Sequence, residues 1–445
     1  MTRTMKDSGI KWIGFIPKHW PVSKFKYSSI MYTGNSIKDS EKDEYSSLEM
    51  ARPYISTKNI DLSNNTINYE SGIYIKVCNK TFKIAPANST LMCIEGGSAG
   101  KKKAFLAQSV CFVNKLCCFI ANNNYNSKYI YYFLTSPNYE DEFISNIEGL
   151  IGGVSINKLK TISILCPSLP EQQAIADYLD DKCAQIDNIT ATINEQIEVL
   201  KQYKKSIITE AVTKGLDPNS PMKDSGVEWI GQIPEKWSIS KMYLIADYKK
   251  GPFGSAITKN MFIDPTEEKA YKVYEQKNAI KKSADIGYYY ISEEKFLSLK
   301  EFSIKPKDII VSCDGTIGEC FLLPEKCEEG IINQALMRIR LSKNIVSQYF
   351  LYLFSNSLDY LSEKYSNGSA IKNIPPFIIL KKAKIPFPPL PEQQAIADYL
   401  DDKCAQIDAV IADKQAQLET LAAYKKSLIY EYVTGKKSVP GFEEA

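Results

Sequence analysis

"LPEQQAIADYLDDKCAQID" spans residues 169–187 and recurs without a change at 390–408. Nineteen identical residues at two places are a duplication, and their pattern is helical. Pro170 suits a first helical turn, where its missing N–H costs nothing, and Glu171 suits the positive end of the helix dipole. No Gly or Pro follows until Gly215. Leu179, Ile186, Ile193, Leu200 and Ile207 recur every seven residues, and Ile175, Ile189, Ile197 and Tyr203 broaden the stripe. In the second copy Leu400, Ile407, Leu421 and Leu428 keep the period, Lys414 interrupts it, and Ile411 and Leu418 stand beside it. Apolar seams of this period pack against another long helix. Roughly 43 residues at 1.5 Å each predict a rod of about 65 Å. The economical arrangement pairs the two rods antiparallel as a coiled coil; the alternative is two separate helices covering separate cores.

A second repeat extends the duplication to the whole chain. MKDSGIKWIGFIPKHWPVSK (5–24) matches MKDSGVEWIGQIPEKWSISK (222–241) at 13 of 20 positions. Each half therefore has a W-I-G-x-I-P-x-x-W lead-in, a long divergent region and an LPEQQ helix. The regions between have the texture of mixed α+β domains. TINYESGIYIKV, AFLAQSVCFV, KDIIVSCDG, QALMRIRL and AKIPFPP are rich in β-branched and aromatic residues and bounded by turn formers. KYIYYFLTS and SQYFLYLFSNSLDYLSEKY read as helices in matching places. The expected layout is a globular domain over 1–168, a helix over 169–215, a second domain over 216–388, a helix over 389–436 and a tail over 437–445.

The chain of 445 residues is 44% hydrophobic and 24% charged, as for a globular protein of several domains. No apolar run reaches membrane-spanning length and the start lacks a signal-peptide core, so a cytoplasmic protein without a membrane partner is expected. Eleven cysteines, an odd number without a CxxC, are expected to be reduced thiols. Cys313, Cys320 and Cys327 lie seven apart, which is not metal-ligand spacing, and no metal is expected. The net charge of +3 conceals an asymmetry: 170–215 and 391–436 together carry −6, leaving +9 elsewhere. A positive surface outside the helices suits a polyanion.

The divergent regions share local features that fit such a partner. Each has a strand ending in a glycine turn, in FKIAPANSTLMCIEGGSAGKKKAF and FSIKPKDIIVSCDGTIGECF. Glycine turns bring backbone amides to phosphates, while Lys, Asn and Gln contact phosphates and base edges. Candidate DNA contacts in the first half are Lys58 and Asn59; Gly96, Gly97, Ser98, Lys101, Lys102 and Lys103; and Ser155, Asn157 and Lys158. In the second half they are Lys249, Lys250, Phe253, Gly254 and Ser255; Asp314 and Thr316; and Ser369 and Lys372. Any one of these is equally an ordinary solvated turn; their recurrence in both halves favours function.

Catalytic signals are poor. Asn373-Ile374-Pro375-Pro376-Phe377 is similar to the Asn-Pro-Pro-Phe motif of DNA amino-methyltransferases, but Ile374 splits it and no glycine-rich methyl-donor loop precedes it. There is no Walker loop. Glu267-x-Lys269 and Glu293-x-Lys295 match only the tail of a nuclease motif. His19 is the sole histidine, so a His-based triad is disfavoured. A recogniser without its own chemistry is the expectation.

The M-K-D-S-G-x-x-W-I-G-x-I-P-x-x-W lead-in, the I-P-x-P-P-L-P-E-Q-Q-x-I-A-x-Y-L-D helix start at 385–401 and the A-x-I-D after it resemble the specificity subunits of type I restriction–modification systems, over essentially the whole chain. The first copy departs slightly, with Cys166-Pro167-Ser168 where the second has Pro386-Phe387-Pro388-Pro389. The resemblance implies two target recognition domains, each reading one half of a split double-stranded DNA site. It implies helices that set the unread spacer and dock two methyltransferase (modification) subunits, with restriction (motor-nuclease) subunits joining the complex. S-adenosylmethionine, ATP and Mg would then sit on those partners, with no cofactor on this chain. Two rivals remain open. A protein-binding scaffold would show no salt-sensitive retention on duplex DNA, and a self-sufficient restriction–methylation enzyme would bind S-adenosylmethionine alone.

Overall fold

A computed structural model describes residues 4–148, 152–266, 269–365 and 377–442. The chain divides into two compact units, Met1–Glu195 with Lys414–Ala445, and Gln196–Asp413. The first unit thus contains the start of the first long helix and the end of the second, and the second unit contains the converse.

Both units are built on one topology. In the first, an antiparallel sheet runs in the order Ser29–Thr33, Leu116–Ala121, Thr90–Cys93, Lys103–Phe105. In the second, the same order is Ala246–Lys250, Leu336–Leu341, Ile309–Ser312, Cys320–Leu322. A parallel pair accompanies each sheet: Ala51–Ile55 with Val110–Phe112, and Tyr271–Tyr274 with Gly330–Ile332. Each unit also pairs the strand after its lead-in with the strand before its long helix, Val22–Lys24 with Ser163–Leu165 and Ser238–Lys241 with Lys384–Phe387. That last pairing closes the domain, bringing the two repeated motifs together.

Local chemistry sets the element limits. Of TINYESGIYIKV only Tyr74–Lys76 is a three-residue strand. Upstream, the side chains of Asp61, Asn64 and Asn68 accept hydrogen bonds from backbone amides two residues on, which commits that stretch to turns. The helix expected at KYIYYFLTS is Ser127–Thr135, and Pro137 then starts a separate helix, Pro137–Ser145, because its ring cannot continue the first. The second unit has no proline there and runs one helix over Ser347–Tyr365. Aromatic cores fill the space: Phe25 meets Phe119, Phe133 and Tyr139 edge-on in the first unit. Tyr349, Phe350 and Leu353 are fully buried in the second.

The long helices span Leu169–Lys214 and Leu390–Val433. Within the first unit they run antiparallel: Lys425 Nζ lies 2.6 Å from Asp187, and the rings of Tyr178 and Tyr432 meet at a tilt of 36° with centroids 4.6 Å apart. Within the second unit Lys204 reaches Asp408 at 2.6 Å. These are the same two residues of the repeat with the helices exchanged, so both pairings share one register. Leu179, Ile186, Ile193, Ile207, Leu400, Ile407 and Leu428 are buried, with Leu200 and Leu421 half-buried. Two residues expected to widen the stripe do not. Ile189 is 49% and Tyr203 54% exposed, because two helices meet along a narrow line that positions further round cannot reach. None of the described helices is long and apolar enough to cross a membrane.

The helix starts are held by side chains that recur in both copies. Trp20, fully buried, donates its indole N–H to Glu171 at 2.9 Å, and Trp237 donates likewise to Glu392. Gln172 donates to the Pro167 and Asn124 carbonyls (2.9 and 3.1 Å) and accepts from the Asn126 amide (2.8 Å). Gln393 does the same with Pro388, Asn344 and Val346. The benzene-ring edge of each indole meets the end of the other long helix. A Cβ on Gly435 would lie 3.0 Å from Trp20, and one on Gly215 3.1 Å from Trp237. Glu171→Ala removes the carboxylate that accepts from the buried Trp20 N–H. Its expected cost is about 1–3 kcal/mol, read as a lower denaturation midpoint, with Trp20→Phe closing a double-mutant cycle that shows strong coupling.

Candidate nucleic-acid interface

The shared topology collects four turns at one edge of each unit. In the first unit, the turn after strand Ser29–Thr33 lies against strand Val110–Phe112: the Asn35 amide donates to the Phe112 carbonyl at 2.9 Å. A Cβ on Gly34 would lie 1.8 Å from that oxygen, so no other residue fits. The turn 56–59 follows strand Ala51–Ile55, and the glycine turn 95–102 follows Thr90–Cys93. Lys102 Nζ donates to the Thr57 carbonyl at 2.8 Å and ties these two turns together. The fourth turn, 113–115, joins the edge where the Ile94 amide meets the Lys115 carbonyl at 3.0 Å.

The second unit repeats the arrangement with other residues. Gly251 approaches the Asn333 carbonyl as Gly34 approaches that of Phe112, again 1.8 Å from an added Cβ. The turn 275–278 is tied to the glycine turn by Gln276, whose amide donates to the carbonyls of Asp314 and Thr316. The Asn333 amide donates to the Tyr274 carbonyl at 3.0 Å, which brings the turn 333–335 beside them. In the first unit the segment 152–158 also joins this edge, through Gly96 N to Gly152 O at 2.8 Å and Val154 N to Ile94 O at 2.9 Å.

Several candidate residues stand on this edge. Lys58, Lys101, Asn157 and Lys158 are exposed, and none of these three lysines forms an ion pair with any described residue. Ser155 caps the short helix Ile156–Leu159 by accepting from the Lys158 amide at 3.3 Å. In the glycine turn, the amides of Ala99, Lys101 and Lys102 are bonded within the turn, and those of Gly96 and Gly100 to the carbonyls of Gly152 and Cys93. Those of Gly97 and Ser98 remain open among the described residues, so a phosphate-contacting role narrows to these two. In the second unit Lys250, Phe253, Gly254, Ser255, Asp314 and Thr316 are exposed.

Other candidate residues are engaged within the fold or lie outside the described residues. Lys103 is 1% exposed with its ammonium 3.3 Å from Glu140; burial pulls its pKa down, against the opposing pull of Glu140. It faces inward because strand residues alternate and Lys101 and Lys102 belong to the turn. The carboxamide of Asn59 accepts from the Ser56 amide and hydroxyl (2.9 and 2.6 Å), closing a capping box that Glu275 and Asn278 repeat. Asn59 therefore shapes the turn. Lys249 is paired with Glu301 and lies 5.0 Å over the Phe302 ring. Ser369 and Lys372 lie outside the described residues, as does most of the Asn373–Phe377 motif. The nuclease-like fragments are explained locally: Lys269 pairs with Glu293 at 2.8 Å on the surface.

Sequence reading missed the fourth turn. Asn114, Lys115 and Gln334 are exposed on it. The signal was present: both halves carry a short polar break between two apolar runs, FVNKL and INQAL. Lys103→Ala is expected to destabilise the first unit by about 1–3 kcal/mol and Lys101→Ala to change stability by less than about 0.5 kcal/mol, as read by denaturant titration of each variant.

Comparison with known proteins agrees with the duplicated architecture. Residues 24–199 and 234–420 each match the family described as the type I restriction modification DNA specificity domain. The type I restriction enzyme MjaVIII specificity subunit of Methanocaldococcus jannaschii is 27% identical over 417 residues, covering 87% of this chain and 87% of that protein. A solved chain from work on complex assembly and conformational transition of the type I R-M system superposes with a TM-score of 0.71 at 14% identity, covering 95% of this chain and 99% of its own. The HsdS subunit from Thermoanaerobacter tengcongensis gives 0.50 at 16% identity, covering 95% and 98%.

Proposed function

The chain belongs to the type I restriction modification DNA specificity family, and from that premise we propose that each unit reads one half of a bipartite duplex DNA site through its four-turn edge. The observation that carries this reading is the recurrence of the edge itself. The same strands, the same tight glycine and a side-chain tie between the same two turns, made from opposite sides, appear in both units, while the exposed residues differ. A fixed frame with exchangeable tips is what two readers of different sequences require. Lys58, Lys101, Lys115 and Lys158 contact phosphates, with the open amides of Gly97 and Ser98 beside them. Asn114 in the first unit and Gln334 in the second have the donor–acceptor pair that recognises a base edge.

The repeated helices serve the partners. Their inward residues are already engaged by the lead-in tryptophans and by each other, so their exposed faces are the matching surfaces on which two modification subunits dock. The helices also fix the unread spacer between the half-sites. This chain performs no chemistry. Methyl transfer to adenine and ATP-dependent cleavage belong to the assembled complex, with S-adenosylmethionine, ATP and Mg2+ on the modification and restriction subunits.

Retention of the chain on duplex DNA, titrated with salt, separates this reading from a protein-binding scaffold. Binding should weaken linearly in log–log form, and the triple variant Lys58→Ala, Lys101→Ala, Lys158→Ala should flatten the slope by about 0.9 per lost phosphate contact. A slope unchanged by the triple variant would remove these lysines from the interface, and no salt-sensitive retention at all would favour the scaffold. The purified chain should transfer no methyl group until a modification subunit is added.

A further inference from the structure

The two edges differ in how their charges are used. In the first unit Lys58, Lys101, Lys115 and Lys158 carry no ion pair with described residues. In the second, Lys249, Lys277 and Lys282 are each paired, with Glu301, Glu275 and Glu319, and Lys250 alone of those named there has no ion pair with a described residue. What the second edge presents instead is aromatic. Phe253 is 89% exposed, and Tyr288, whose ring lies 5.8 Å from the Lys277 ammonium, is 85% exposed.

Phe253 is exposed on a pinned turn. Immediately before it, the Gly251 amide donates to the Leu336 carbonyl at 2.9 Å, and Gly251 packs against the Asn333 backbone too closely for any side chain. Pro252 is buried, and its ring fixes its own φ and restricts Gly251 before it. Just after, the Ala256 amide donates back to the Phe253 carbonyl at 2.8 Å, and Ile257 is buried. The ring is therefore held out in water by a backbone fixed on both sides, three residues after the exposed Lys250, which has no ion pair with a described residue. A large apolar ring held out by a rigid turn, on the edge where the loops gather, is placed to meet a ligand.

Resting on the reading of this edge as DNA-binding, we propose that Phe253 packs against the apolar surface of a nucleobase in the second half-site, so that the second unit recognises its target through ring contact where the first relies on charge. The ring has two such surfaces to meet, a thymine methyl in the major groove or the face of a base at an opened step. The shared chemistry is the same, and the test separates them.

The test uses the full chain with its modification subunit and a duplex carrying the site located by mapping methylated adenines. Phe253→Ala should weaken binding by about 10-fold or more, leave the salt slope unchanged, and relax one position of the second half-site while the first stays as it was. Phe253→Trp should restore binding. Replacing each thymine of the second half-site by deoxyuridine locates a methyl contact as a loss of wild-type affinity that Phe253→Ala no longer shows. 2-Aminopurine placed along the same half-site locates an opened step as a fluorescence rise that Phe253→Ala abolishes. Wild-type insensitivity to both scans, or equal affinity of wild type and Phe253→Ala, would overturn the proposal. So would loss of the modification subunit from the variant complex, which would make Phe253 a protein contact. Failure of the wild-type complex to bind the duplex would instead overturn the DNA-reading assignment itself.

Discussion

In each unit one buried tryptophan holds both long helices to the recognition domain. The indole N–H of Trp20 is satisfied by Glu171 in the first turn of one helix, and its ring edge is met by Gly435 at the end of the other. Trp237 stands in the same way between Glu392 and Gly215. A buried N–H without an acceptor is costly, and a buried carboxylate without donors more so. The contact therefore stabilises the fold when the lead-in and the helix start are together, and His19 of the same lead-in lies 3.3 Å from the same Glu171 oxygen. Gln172 and Gln393 extend the same constraint to the strands and turns beneath them.

This explains the distribution of identity along the chain. LPEQQ and W-I-G-x-I-P-x-x-W are repeated because each forms half of a joint, and both joints have the same partners. Lys204 and Lys425 recur for the same reason, since each pairs with the repeated Asp of the opposite helix, Asp408 or Asp187. Between the joints only the frame must persist. The strands and the tight glycines Gly34 and Gly251 keep their places, while the turn tips vary freely. The tips differ: Lys101 stands exposed on the glycine turn of one unit, and Phe253 on the turn after Gly251 in the other.

Most of the architecture was legible from periodicity and repetition. The seven-residue period gave the helices and most of their seam, but not its width: Ile189 and Tyr203 look like seam residues until the geometry of a two-helix contact excludes them. The candidate site was legible only as regions. KKK at 101–103 reads as one basic cluster, yet the strand begins at Lys103 and turns it inward to Glu140, while Lys102 is consumed in tying two turns. Asn59 reads as a polar contact, yet its carboxamide closes the turn on which Lys58 stands. Pairings between distant strands decide such cases, and no local pattern encodes them. The turn carrying Asn114 and Lys115 was overlooked because it is short and lacks glycine.

The central claim is that one chain carries two independent readers on repeated joints. Exchanging residues 25–165 for the corresponding region of another specificity subunit, then mapping methylated adenines by sequencing, tests it most directly. The account predicts that one half of the methylated site changes to that of the donor while the other half keeps its identity. A change in both halves, or in neither with methylation retained, would contradict it.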